Sequence, residues 1–167
     1  MFYRCIIFLV ITGISFHGLG QNADHPPGKV DHDEMHEHHS NEFGVANSAV
    51  YFIKEKSLNY GLHLHYTYTI RKTKFGIGAG YERVFDEHKH NTIGIHAIYQ
   101  PVEGLHLNLS PGVAFEGDGD EHPVFALHFE TSYEFLFHDF HIGPSVEFAY
   151  DPEDYHISLG IHIGYGF

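Results

Sequence analysis

From Glu42 to the end of the chain, large apolar residues alternate with small or polar ones. The alternation falls into eight segments of roughly 10 residues: 42 to 54, 60 to 70, 74 to 85, 92 to 101, 105 to 116, 124 to 137, 140 to 150 and 155 to 167. The last is the most regular: Tyr155, Ile157, Leu159, Ile161, Ile163, Tyr165 and Phe167 fall on one face, and His156, Ser158, Gly160, His162, Gly164 and Gly166 on the other. A period of two is that of a strand, whose successive side chains point to opposite faces. Segments of this length suit a tilted transmembrane strand, and an even number suits a closed antiparallel barrel.

The intervals alternate too. Arg71 to Thr73, Val102 to Gly104 and His138-Asp139 are tight, whereas Glu55 to Asn59, Asp86 to Asn91, Gly117 to Pro123 and Asp151 to Asp154 are longer and acidic. Outer-membrane barrels have short periplasmic turns and longer outer loops. A soluble barrel would hide the apolar face inside, but the opposite face is rich in glycine (Gly76, Gly78, Gly80, Gly94, Gly112, Gly143), which weakens a water-facing strand and fits a crowded eight-stranded lumen. The apolar face therefore looks outward, to lipid. The aromatic residues at both ends of the final strand, and Phe167 in last position, resemble the closing strand of bacterial outer-membrane barrels. The likeness of Glu42 to Phe167 to small OmpA/OmpX-type proteins is architectural. It implies an all-β fold: an eight-stranded antiparallel up-and-down transmembrane barrel in the outer membrane of a Gram-negative bacterium, in contact with lipid and lipopolysaccharide and acting as a monomer. Asn47 and Arg83 fall on the lipid face, so a bulge is expected near Asn47 and snorkelling at Arg83. Pro111 and Pro144 also predict local bulges.

The first 20 residues read as a secretory signal peptide: Arg4, an apolar run from Cys5 to Ile14, and small residues through Gly20. The run is too short for a spanning helix, which needs about 20 residues. The chain's one cysteine, Cys5, lies inside this segment, so no disulfide is expected. Residues 21–41 are rich in Pro, Asp, Glu and His and nearly devoid of large apolar side chains, which predicts a disordered periplasmic tail. The formal charge of −13 makes nucleic acid an improbable partner. Histidine is the compositional outlier, with 18 in the chain. Protonating those outside the signal would reverse the sign of the net charge, a basis for pH sensing.

Four groups of residues are candidates for chemistry. Glu82, Glu130, Glu134 and Glu147 point into the barrel with His63, His65, His96, His106, His128, His141, His156 and His162, while only Lys54 and Lys74 are placed to face inward, each near a rim. Buried carboxylates must be protonated, paired or metal-bound. They form either a rigid hydrogen-bonded plug or a transition-metal site, for which His63 and His65 make the best-defined pair. In the tail, Asp31-His32-Asp33-Glu34-Met35-His36-Glu37-His38-His39 offers imidazoles at His32, His36, His38 and His39 that could wrap Zn, Ni or Cu. The loop Glu116-Gly117-Asp118-Gly119-Asp120-Glu121-His122 shares an Asp-Gly-Asp core with calcium loops but lacks their other ligand positions. His156-Ile157-Ser158 is similar to the His-x-Ser element of barrel lipid A deacylases, yet no acidic residue follows Asp154 and both side chains are expected to face the lumen. The expected function is a non-enzymatic outer-membrane barrel that binds or buffers divalent transition metal at the cell envelope. The alternative is a structural or surface-interaction barrel with a His/Glu plug, and a narrow pore is disfavoured because eight strands leave little space.

Overall fold

The computed structural model describes residues 39–115, 117, 122–152 and 154–167. The predicted segments become β1 (Asn41–Phe52), β2 (Ser57–Thr69), β3 (Phe75–Phe85), β4 (Asn91–Val102), β5 (Leu105–Phe115), β6 (Val124–Tyr133), β7 (Phe135–Phe137), β8 (Phe140–Tyr150) and β9 (Tyr155–Gly166). Neighbours in sequence pair antiparallel, β1 pairs with β9, and β6 pairs with β8, so the sheet closes. β6 and β7 are two pieces of one barrel strand separated at Glu134, which leaves the eight-stranded all-β barrel that the alternation predicts. β1 starts at Asn41, one residue inside the expected tail; residues 1–38, with the expected signal peptide and most of that tail, lie outside the described residues. Among the described residues no helix is long and apolar enough to cross a membrane.

The bulges expected from sequence are mostly replaced by gaps in the ladder. β1 keeps one register against both neighbours from one end to the other, so no bulge forms near Asn47. Its outward amide is satisfied instead by the Tyr60 hydroxyl on β2, which donates to Asn47 Oδ1 at 2.5 Å. Opposite Pro144, which has no N–H to give, pairing lapses between Ser132↔Ser145 and Phe135↔Ile142 and resumes without a shift. Gly143 permits the close approach there: a Cβ on it would collide with the Tyr133 carbonyl. At Pro111 the β4–β5 ladder likewise skips two pairs in constant register, and the one shift between β4 and β5 falls between Tyr99 and Val102, beside Pro101.

The two faces of the sheet differ as alternation requires. Outside, Ile95, Leu159, Ile77 and Ile161 are 67%, 62%, 57% and 54% exposed, a continuous aliphatic band that only hydrocarbon would cover favourably. Aromatic rings border it at the tight-turn end, in the contacts Phe43–Phe167, Phe75–Tyr99 and Phe140–Tyr165. Tyr60–Phe85 borders it at the loop end. Arg83, on the outer face, donates its guanidinium to Asn91 Oδ1 at 3.1 Å and lies beside the Phe85 ring. The two lysines expected at the lumen's rims do not enter it: both are exposed, and Lys74 Nζ donates to the Pro101 carbonyl.

Candidate metal centre in the barrel lumen

With the apolar side chains outside, the inward positions converge on a space that eight strands make narrow. Among the described residues it holds Glu42, Glu82, Glu130, Glu134 and Glu147 and no lysine or arginine, so imidazoles are the only cationic partners within reach. All eight histidines expected to point inward do so.

Toward the loop end, β3, β6, β8 and β9 deliver Glu82, His128, Glu147 and His156, each about 95% buried. His128 Nδ1 lies 3.3 Å from Glu82 Oε2 and 3.2 Å from Glu147 Oε2, and His156 Nε2 lies 3.8 Å from Glu147 Oε1. One ligand atom from each falls within 4.8 Å of all the others. Ligand atoms around a tetrahedral zinc sit about 3.4 Å apart, so small side-chain movements would close this group on an ion. The donors are of the right kind, and several have no protein partner: both ring nitrogens of His156 and Oε1 of Glu147 are buried without a hydrogen bond. Such atoms are costly unless something further satisfies them. Ser158 Oγ is in the same position, yet it and His156 are turned inward, away from lipid, so the His-x-Ser element is not presented to a membrane substrate.

Toward the tight-turn end, Glu42 Oε1 lies 3.2 Å from His141 Nε2 and 3.6 Å from His65 Nε2. Glu134 meets His162 at 2.9 Å and His141 at 3.4 Å. The Nε2 atoms of His65 and His162 are 3.1 Å apart, so one must carry the proton it donates to the other. Glu42, His141 and His162 also satisfy the geometry of a ligand set. Between the two ends, His63 faces Glu130 at 3.8 Å and, with Glu147, forms a third group. The glycines make room for these rings: a Cβ on Gly80 would sit 2.7 Å from His63 Nε2, and one on Gly164 would overlap the His141 ring.

The expected pair His63 and His65 are neighbours, with ring centroids 5.2 Å apart, but each ring belongs to a different carboxylate. His39 lies at the tight-turn rim, 3.0 Å from Asp139, while His32, His36 and His38 fall outside the described residues, as does most of the Asp-Gly-Asp loop. Sequence reading did not single out Glu42, although it lies on the inward parity of β1. Nor could it group Glu82, His128, Glu147 and His156, which come from four strands. In the loop after β3, burial would raise the Asp86 carboxyl, but the backbone N–H and ring of His90 outweigh it and hold Asp86 below its usual range.

No protein-family model matches the chain, and no curated protein does. Solved structures do. Neisserial surface protein A is 14% identical over 76% of this chain and 96% of its own, with a TM-score of 0.58. Ail, the attachment invasion locus protein of Yersinia pestis, is 19% identical over 80% of this chain and 100% of its own at 0.53. The N-terminal β-barrel domain of Pseudomonas aeruginosa OprF is 17% identical over 78% and 100% at 0.52. A de novo designed transmembrane barrel matches at 0.53 with 11% identity, which shows that the likeness reads architecture. Together with the aliphatic band and aromatic borders, these likenesses show the fold of the chain: an eight-stranded antiparallel barrel of the outer-membrane type.

Proposed function

We propose that this barrel is a non-enzymatic outer-membrane protein that binds a divalent transition metal, Zn, Ni or Cu, inside its lumen through Glu82, His128, Glu147 and His156. The observation that carries this reading is the convergence of four buried ligand atoms, with both ring nitrogens of His156 and Oε1 of Glu147 left without a hydrogen bond. Imidazole and carboxylate together suit these metals. His32, His36, His38 and His39 of the tail would add weaker, adaptive sites on the periplasmic side. The barrel would act as a monomer among lipid and lipopolysaccharide.

The test is calorimetric titration of Zn, Ni and Cu into the full chain in detergent, into a form starting at Asn41, and into Glu147→Gln/His156→Gln. Binding that persists without the tail and falls at least tenfold in the double variant supports a luminal site. Binding lost with the tail alone moves the site to the tail, and no binding to any form leaves a structural barrel with a His/Glu plug. Since a metal ligand must shed its proton, bound metal should also be released as the medium is acidified.

A further inference from the structure

Among the described residues, the lumen is plugged at the loop end and opens at the tight-turn end. At the loop end Val50, Phe52 and Val84 form an apolar plug, with Phe52 fully buried and its ring against those of His156 at 4.9 Å and His90 at 4.8 Å. At the tight-turn end a cavity of about 130 Å³ opens between the turns, and Glu42, His106, Glu134 and His141 line its floor. Deeper in, a void of about 20 Å³ shares Glu42, His106 and Glu134 with that cavity and reaches Glu130. A last void of about 10 Å³ touches His63, Glu82 and His128. The latter two are each the size of one water or one bare ion. Ligands span the intervals: His65 lies in ring contact with both His162, at 4.9 Å, and His63, at 5.2 Å, and His63 shares a ligand set with Glu130 and Glu147.

A metal ion cannot cross such a space with its hydration shell, so it must exchange water for side-chain ligands at each step. We infer that Glu42, His141 and His162 form a second metal site, the loading site at the periplasmic mouth, from which ions pass by ligand exchange along His65, His63 and Glu130 to the blind inner group. This rests on the metal-binding reading above. His141 Nε2, buried without a hydrogen bond, lies 3.2 Å from Glu42 Oε1, and His162 Nε2 lies 4.0 Å from the same oxygen, so both rings present a nitrogen to the mouth group. Exchange is then one-sided: metal enters and leaves from the periplasm, and nothing crosses the plug.

The chain's only cysteine is Cys5, so a single cysteine introduced into a Cys5→Ser background can be labelled alone. Leu136→Cys lines the mouth cavity and Glu55→Cys stands beyond the plug, and neither residue belongs to a ligand group. Each is coupled to fluorescein maleimide in detergent, folding is confirmed by heat-modifiable gel mobility, and Co²⁺ loading is followed by absorbance in stopped flow. The expected result is loading at least tenfold slower with the label at 136, at an unchanged final amount of bound metal, and no change with the label at 55. Adding Phe52→Ala to the mouth-labelled protein opens the plug and restores the rate. Loading that ignores the label at 136, or slows with the label at 55, overturns one-sided access while leaving the luminal site intact. No bound Co²⁺ in the unlabelled protein overturns the metal-binding reading itself.

Discussion

Each strand carries two faces of unequal stringency, and β9 shows the contrast within one run of residues. Ile157, Leu159, Ile161 and Ile163 face outward, where any apolar side chain of roughly the right size meets lipid. His156, Ser158, His162 and Gly164 face inward, where each has particular neighbours: His162 meets Glu134 and His65, and Gly164 leaves space for His141. The outer face asks for a property and the inner face for an identity. Sequence pattern reveals properties, which is why the two faces are not equally readable.

The contrast is broken most severely at Gly143, whose side would-be Cβ meets a backbone carbonyl that cannot rotate away. Gly143→Val should abolish the folded, heat-modifiable species altogether, while Val146→Ala on the outward face of the same strand folds normally on the same gel. The next largest effect is expected at His128, the imidazole between Glu82 and Glu147. His128→Leu removes the imidazole that both buried carboxylates contact, and denaturant titration should show a loss of about 3–5 kcal/mol. On the lipid face Leu159→Arg should cost about 2–4 kcal/mol near the bilayer middle, whereas Leu159→Met stays close to wild type in the same assay. The smallest effect concerns Asp86, which lies on neither face. Its folded pKa is below the ordinary 3.8, so its contribution to stability is present above that value and is lost as pH falls through the folded one. Melting temperature should therefore drop on acidification below pH 3.8 slightly less in Asp86→Asn than in wild type, and unchanged differences between the two would remove Asp86 from this account.

The barrel was legible because its strands obey one rule from end to end. Strand count, the alternation of tight turns with longer loops and the inward direction of the eight luminal histidines all follow from a period of two and from where glycine falls. Prolines were legible only as disturbances: Pro144 interrupts the ladder without adding a residue, a distinction that depends on whether its neighbours Tyr133 and Gly143 can approach. The ligand groups were less legible still. His63 and His65 stand two apart on one strand and so looked like a pair, but Glu130 and Glu42, from other strands, draw them into separate groups. Glu82, His128, Glu147 and His156 are brought together by barrel closure and stagger, which no local spacing encodes.

The apolar plug of Val50, Phe52 and Val84 bears on the envelope's role as a permeability barrier. A wide-bore barrel that displays ligands to passing ions also admits detergents, dyes and antibiotics. Sealing one end separates the two properties: cells making this protein in quantity would gain histidine and carboxylate groups within their outer membrane and remain as resistant to such compounds as cells without it.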